Sequence, residues 1–341
     1  MYTKTKYIIL VLLLLVVSAV CGQNINKTGT TAAKFLAIGV GSRANGLGDA
    51  FVGIANDASA MYWNPSGISQ LKQMELVANY TQWIADIDFS YVGFVIPLNV
   101  YGVIGFNATY MGMGEMDVTT EDFPEGTGET FSAGSYAIGF CYAKNLTDRF
   151  SIGANLKYIN EYIMNCDANS FAIDIGTLFI SPFRDIRFGV SISNFGRKMQ
   201  ITGPDLLVQK DIDEQIHGNN ESVNAYLATD KFDLPLLLRV GISGDFVKSG
   251  LMRVTWAIDA AHPNDNTEYM NFGVEMSLFN ELLILRAGMK SMFMETRDEK
   301  LSLGGGLNFR LGSTSKINID YAYQSFEHLN QIHKYTLRLV F

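Results

Sequence analysis

From about residue 73 to the end, the chain alternates apolar and polar residues with period two, in one segment after another. Phe150, Ile152, Ala154, Leu156 and Tyr158 share a face, while Ser151, Gly153, Asn155 and Lys157 fill the other. Met270, Phe272, Val274, Met276 and Leu278 stand against Asn271, Gly273, Glu275 and Ser277, and Ile317, Ile319, Tyr321 and Tyr323 repeat the pattern. Period two is the signature of a strand with one apolar face. The pattern predicts strands near 73–82, 87–97, 101–112, 132–144, 150–163, 170–180, 186–196, 234–246, 251–261, 268–279, 282–293, 300–312, 317–328 and 333–341. Each of these fourteen is near the roughly 9–11 residues that a tilted strand needs to cross a bilayer.

The connections sharpen this reading. Those near 98–100, 145–149, 181–185, 247–250, 280–281 and 313–316 are tight, whereas the alternate set holds the long ones, about 113–131 and 197–233. All long loops therefore emerge on one side, the asymmetry of an outer-membrane barrel. The faces agree. Lys157, Arg239, Arg253, Arg286, Lys290 and Arg338, with Asp174, Asp245, Asp259, Glu275 and Asp320, fall on the side opposite the apolar one. A charged inside and an apolar outside suit contact with outer-membrane lipid, and closure leaves no unpaired edge in hydrocarbon. A soluble two-sheet protein is the plain alternative, but nothing in it would sort loops by length. The expected fold is all-β: a fourteen-stranded antiparallel transmembrane β-barrel over 73–341, preceded by a hatch segment at 23–72.

Residues 1–22 read as a signal peptide. Lys4 and Lys6 precede an apolar run from Tyr7 to Val20, the layout of a secretory leader. Val20 and Gly22 suit a cleavage site before Gln23. Cys21 follows Val20, whereas a lipidated cysteine normally follows Gly, Ala or Ser, so simple cleavage is the better reading. Losing Lys4, Lys6 and no acid moves the formal net charge from −8 to −10. Such an acidic export product makes no nucleic-acid partner, since phosphate contact needs clustered Lys and Arg. Only Cys141 and Cys166 remain. They lie near opposite ends of the predicted hairpin, about 40 Å apart at ~3.3 Å per residue, so no disulfide is expected.

The chain ends in a strand with Tyr335, Leu337, Leu339 and the terminal Phe341 on one face. This resembles the C-terminal assembly signal of bacterial outer-membrane barrels, which the barrel insertion machinery reads as an added strand.

Residues 31–72 do not alternate. Gly39, Gly41, Gly46, Gly48 and Gly53 punctuate them, Ala50–Met61 is small and apolar enough for a short helix, and Asn64-Pro65-Ser66-Gly67 marks a turn. Gly41-Ser42-Arg43-Ala44, then Gly48-Asp49-Ala50, Asn56-Asp57-Ala58-Ser59-Ala60 and Trp63-Asn64-Pro65-Ser66-Gly67 resemble the N-terminal signature of the PorV/PorQ family, in the wider FadL-like group of fourteen-stranded barrels. Ser66 replaces the alanine of the FadL Asn-Pro-Ala-Gly element. The resemblance implies a hatch motif of Arg43, Gly48, Asp49, Asn64, Pro65 and Gly67. It also implies a bacterial outer-membrane location and a role in type IX secretion, with secreted cargo proteins and secretion-system subunits as partners. FadL-like relatives imply the alternative, diffusive uptake of a hydrophobic ligand. Phe35-Leu36 ahead of Gly41-Ser42-Arg43, and the Trp63-Asn64-Pro65 form, favour the secretion branch.

The long loop at 197–233 is the candidate partner surface. It carries Met199, Ile201, Leu206, Leu207, Val208 and Ile212, with acids at Asp211, Asp213, Glu214 and Glu221. A lid over the barrel mouth is the equal alternative. Asp320 and Glu275 invite an acid/base reading, but six basic and five acidic inward positions point to an ion-pair network that holds a plug. No enzyme activity, cofactor or metal is expected. His217, His262, His328 and His333 lack paired spacing, and His262 with Asp265 and Glu268 has no regular ligand repeat. Gly304-Gly305-Gly306 lies inside a strand with no following helix, so it is no phosphate cradle.

Overall fold

The computed structural model describes residues 28–211, 215, 222–294, 297–312, 315–328 and 330–341. The segment at 1–22 expected to be a leader, and Ile212, Asp213, Glu214, His217 and Glu221 of the long loop, lie outside the described residues. Fourteen antiparallel strands close into a barrel in which each pairs with its chain neighbours and the last pairs with the first. They are β1 (Glu75–Gln82), β2 (Asp88–Pro97), β3 (Val103–Gly112), β4 (Ala133–Thr147), β5 (Phe150–Ile163), β6 (Cys166–Ile180) and β7 (Arg187–Gly196). The circuit continues through β8 (Leu237–Lys248), β9 (Met252–Pro263), β10 (Tyr269–Leu278), β11 (Leu283–Met292), β12 (Glu299–Leu311), β13 (Ser315–Phe326) and β14 (Ile332–Val340). No helix among the described residues is long and apolar enough to cross a membrane.

The alternation in the sequence becomes the two faces of the wall. In β5, Ser151, Asn155 and Lys157 are buried, while Ile152 and Leu156 are exposed. The exposed face continues round the circuit through Phe106, Phe140, Phe171, Val240, Leu303 and Leu337. An apolar outer surface over a polar interior inverts a soluble fold and matches a barrel solvated by lipid. Closure through β14 and β1 leaves no open edge, which hydrocarbon would not tolerate.

Strand ends differ locally from expectation. The strand expected at 170–180 begins at Cys166 instead, and only Met164 and Asn165 join it to β5. Met164 takes a left-handed φ of 52°, which turns the chain tightly enough to extend the ladder to Ile163 opposite Cys166. Cys166 is thus a strand residue rather than part of an outer loop. It and Cys141 are buried and free. The long connections hold two short hairpins, Met116–Asp117 with Thr130–Phe131 and Leu207–Lys210 with Val223–Tyr226.

The segment ahead of β1 is bound on all sides. It has two short helices, α1 (Ser42–Gly46) and α2 (Ala60–Trp63), and 3-10 turns at Lys34–Ala37 and Pro65–Gln70. Its partners are spread round the whole circuit, from Glu75 of β1 through Gly176 of β6 and Asp259 of β9 to Thr336 of β14. A chain touching that many strands of a closed barrel lies inside it. The helix expected over Ala50–Met61 is reduced to Ala60–Trp63. The N–H groups of Phe51 and Val52 donate to Asp259 Oδ2 at 2.7 and 2.8 Å, and that of Ala58 donates to Glu75 Oε1 at 2.6 Å. Acids of the wall satisfy these donors in place of helical carbonyls.

Candidate functional site

Three devices seat the N-terminal segment. The first is a relay of ion pairs that starts at Arg43 in α1. Its guanidinium grips Glu275 of β10 with both arms, Nε to Oε2 at 2.9 Å and Nη2 to Oε1 at 3.1 Å. Its remaining nitrogen donates to Asp57 at 3.0 Å and Asn56 at 2.7 Å within the segment. Glu275 also accepts from Arg286 Nε at 2.8 Å, and Arg286 Nη1 reaches Asp320 at 2.5 Å. Bidentate Arg–carboxylate contacts are among the strongest polar interactions in a protein. Asp320 and Glu275, the pair that invites an acid/base reading, therefore sit on either side of one arginine.

Asp49 anchors the second point, accepting from Lys290 of β11 at 2.9 Å. Burial by itself would raise the Asp49 carboxyl. The Lys290 ammonium, with Lys334 behind it, outweighs this and holds the carboxyl below its ordinary range. Asp57 follows the same logic: burial opposes its charge, and Arg43 and Arg338 prevail. Lys334 of β14 donates to the Gly39 carbonyl at 2.6 Å. Lys334, Thr336 and Glu75 join the inward charged and polar set beyond the positions expected from the sequence: the first two share the parity of Arg338 in β14, and Glu75 lies on its partner strand β1. The alternation of Lys334 and Thr336 with Tyr335 and Leu337 is the signal in the sequence that marks them as inward.

The third device is a row of inward glycines in the wall. Three cross-strand pairs, Gly153–Gly176, Gly189–Gly241 and Gly273–Gly288, face the segment. A Cβ on Gly288 would lie 2.1 Å from the backbone of Leu47 and Gly48, and one on Gly153 would lie 2.5 Å from that of Pro65 and Ser66. Backbone of the segment thus rests directly on backbone of the wall. Gly48 is doubly constrained, with φ of 64° and Met289 backbone 2.7 Å from where its Cβ would be.

The turn motif is explained in the same terms. Asn64 Nδ2 donates to the carbonyls of Val52 and of Thr177 in β6, both at 3.0 Å, and its Oδ1 accepts from Ser66 Oγ at 2.7 Å. Pro65 opens the following turn with its fixed φ. A Cβ on Gly67 would lie 2.0 Å from the Ala55 carbonyl oxygen. All six expected motif residues, Arg43, Gly48, Asp49, Asn64, Pro65 and Gly67, therefore sit at seams within the segment or between it and the wall.

The segment runs lengthwise through the barrel. At the long-loop end Thr31 donates to Asp265, Lys34 pairs with the same carboxylate, and Ala32 N donates to the Asp233 carbonyl at 2.9 Å. At the turn end Gln70 meets Asn145 and Ser151. Above the segment, at the long-loop end, lies a cavity of about 310 Å³. Its charges are paired, Lys34 with Asp265 and Lys290 with Asp49 and Glu299, while Arg239 stacks over Trp63 at 4.9 Å.

The loop residues expected to meet a partner separate into two groups. Met199 is buried, with its backbone paired to Phe232, so it braces the loop. Ile201 and Leu207 are exposed and Leu206 is half-buried; Leu207 stands opposite Tyr226 in the loop hairpin. Of the assembly-signal residues, Tyr335, Leu337 and Phe341 are exposed on the outer face and Leu339 is half-buried. His262 meets Glu268 at 3.0 Å on the surface, and no group of metal-binding side chains occurs among the described residues.

Known proteins bear on this architecture from two directions. Among solved structures, the fold is similar to the CymD monoaromatic hydrocarbon channel, with 12% identity and a TM-score of 0.56 over 89% of this chain and 96% of that one. It is also similar to a Pseudomonas aeruginosa FadL homologue, with 14% identity and a TM-score of 0.51 over 87% and 97% of the two chains. The Pseudomonas putida toluene transporter TodX gives 11% identity and a TM-score of 0.52 over 89% and 96%. At these identities the likeness is one of fold. No curated protein matches the chain in sequence. The profile of the family described as "Type IX secretion system protein PorV" matches residues 21–206, more than half of the chain. With the lipid-facing barrel, this makes the protein a bacterial outer-membrane component that belongs to the PorV family associated with type IX secretion.

Proposed function

We propose that the protein binds secreted cargo or partner subunits at the cell surface during type IX secretion, with residues 31–72 acting as a hatch that keeps the lumen shut. The observation that carries this reading is the seating of the segment. Its backbone rests on wall glycines, its charges are tied to Glu275 and Lys290, and its Phe51 and Val52 N–H groups are held by Asp259. A barrel filled in this way has its working surface at the mouth and in the loops. The mouth cavity sets paired charges, Lys34 with Asp265 and Lys290 with Asp49 and Glu299, beside apolar Trp63, Leu236, Leu237 and Phe326, a mixed lining that suits the polar and apolar groups of a protein. Beside it the loop hairpin offers exposed Leu207, Tyr226 and Leu227, the mixture of apolar anchors and polar rim that protein interfaces use.

One observation favours the second reading, uptake of a hydrophobic small molecule. A cavity of about 210 Å³ at the long-loop rim of β3 to β6 is lined by Met111, Met113, Ile163 and Ile201. The two readings separate on gentle extraction of the native protein from outer membranes, followed by identification of what travels with it. Recovery of proteins that share a C-terminal secretion domain, lost when residues 207–226 are replaced by a short turn, supports the cargo reading. A bound fatty acid or hydrocarbon without protein, unaffected by that replacement, overturns it.

A further inference from the structure

The lumenal face of the wall carries two pairs of like charges in direct register at its turn end. Lys248 of β8 stands opposite Arg253 of β9, and Arg310 of β12 stands opposite Lys316 of β13. Lys316 shares the parity of buried Asn318 and Asp320, and Arg310 that of Asn308, whereas Phe309 and Ile319 are exposed on the outer face. Arg253 shares the parity of buried Thr255. Simple alternation from the inward Asp245 would turn Lys248 outward. A bulge after Asp245 leaves both Phe246 and Val247 exposed outside and returns Lys248 to the lumen, opposite Arg253. Re-aiming a side chain is a recurrent use of such bulges. Like charges directly across a ladder destabilise it, so the wall holds these cations together against their repulsion.

The acids nearby leave most of this charge unmatched. Arg253 meets Glu281 at 2.9 Å and Glu275 at 3.9 Å. Lys248, Arg310 and Lys316 are exposed, and no carboxylate among the described residues stands in ion-pair range of them. Two adjoining cavities join the pairs. One of about 350 Å³ is lined by Lys248, Arg253 and Arg310, and one of about 280 Å³ by Arg310 and Lys316. The protein as a whole has a formal net charge of −8, so this is a cationic groove on an acidic molecule. An acidic partner is repelled by the rest of the surface and steered here.

Place, charge and length select the occupant. Inward side chains face away from lipid, and short turns face the periplasm, so the groove is entered from periplasmic water. From β8 to β13 the wall measures about 24 Å at ~4.8 Å per strand. That is too far for one small anion to serve both pairs, and it matches about seven extended residues at ~3.3 Å each. We infer that this groove docks an extended acidic segment of a periplasmic protein. Its carboxylates accept from Arg310 and Lys316 at one end and from Lys248 at the other. This goes beyond the cargo reading, which concerns the opposite end of the barrel, and does not depend on it.

The test titrates a fluorescein-labelled oligoglutamate peptide against the full chain in phosphatidylcholine nanodiscs, which leave both ends of the barrel open, and reads anisotropy. Binding should weaken about tenfold in a K248Q/R310Q/K316Q variant, the loss that three exposed charge pairs entail. It should be unchanged in K144Q/R149Q, which removes cations of the same end that do not line the groove. The urea midpoint of the triple variant should equal or exceed that of the unaltered protein, because its repulsive pairs are gone. A lower midpoint would assign the cations to holding the wall and overturn the proposal. Absence of binding to the unaltered protein overturns it, and so does equal weakening in both variants, which would reduce binding to net charge. Release of the peptide by millimolar inorganic phosphate at constant ionic strength also overturns it, by giving the groove to a small anion.

Discussion

Single side chains decide whether the segment inside the barrel is held or loose. Arg43 joins Asp57 in the segment to Glu275 in the wall, and truncating it takes one buried partner from each acid. Breaking a buried pair from one side typically costs about 3–5 kcal/mol, so Arg43→Ala should lower the urea midpoint of the refolded barrel by a corresponding amount. Arg43→Lys, unable to make the two-armed contact, should recover only part. A midpoint equal to that of the unaltered protein would show that the relay contributes nothing to stability. The acids set the pH dependence. Asp49 and Asp57 have carboxyls held below their unfolded value of about 4. Their contribution is therefore fully present above that value and lost as pH falls through the lowered folded values. Protease sensitivity of the segment should rise below about pH 4, and Asp49→Asn should weaken that rise. Gly288→Val tests the third device. Its side chain would meet the Leu47–Gly48 backbone, and overpacking costs about 1–3 kcal/mol, read as a faster cut in limited proteolysis at neutral pH.

The elements carry different duties. β14 pairs with β13 on one side and with β1 on the other, so it is the strand whose absence opens the barrel. Removing Tyr335–Phe341 should abolish the heat-modifiable, closed form of the protein, whereas Phe341→Ala should slow its insertion into vesicles while permitting closure. The hairpin at Leu207–Lys210 and Val223–Tyr226 pairs with itself outside the wall. Replacing it should leave gel mobility unchanged, which is why it is the chosen segment for the cargo test. The extent of β6 shows where reading by element stops. Period two marks its centre, but Asp167 and Asn169 break the apolar face. That the ladder continues to Cys166 depends on a left-handed Met164 and on pairing with β5.

At the scale of the whole molecule, the path of the N-terminal segment has a topological consequence. Thr31 and Lys34 are tied to Asp265 and Asp233 at the long-loop end, while Gln70 sits at the turn end. The chain therefore descends the lumen from the cell-surface side before β1 begins. Lys34 has a side chain 58% exposed, so Lys34→Cys should react with a membrane-impermeant maleimide applied to intact cells. Cys141 and Cys166, both buried, supply the silent background. Labelling only after the outer membrane is permeabilised would place the segment the other way up and remove the geometric basis of the mouth cavity.

The strand count, the two faces of the wall and the side from which long loops emerge were all determined by the sequence, because each depends on local alternation and on the number of residues between strands. Charged positions on the polar face were legible for the same reason: once Glu275, Arg286 and Asp320 fall on one parity, a lipid-facing barrel leaves them only the interior. Their partners were not legible. Arg43 lies 232 positions from Glu275, and Asn45 lies 279 from Gln324, distances over which no local pattern operates. The glycines show the same division. Their abundance is plain in the chain, but their purpose appears only when Gly153–Gly176 and Gly273–Gly288 meet the backbone of a segment more than eighty residues earlier. Closure of the sheet brings these groups together, and their burial between segment and wall then makes each pairing, each satisfied N–H and each missing Cβ matter.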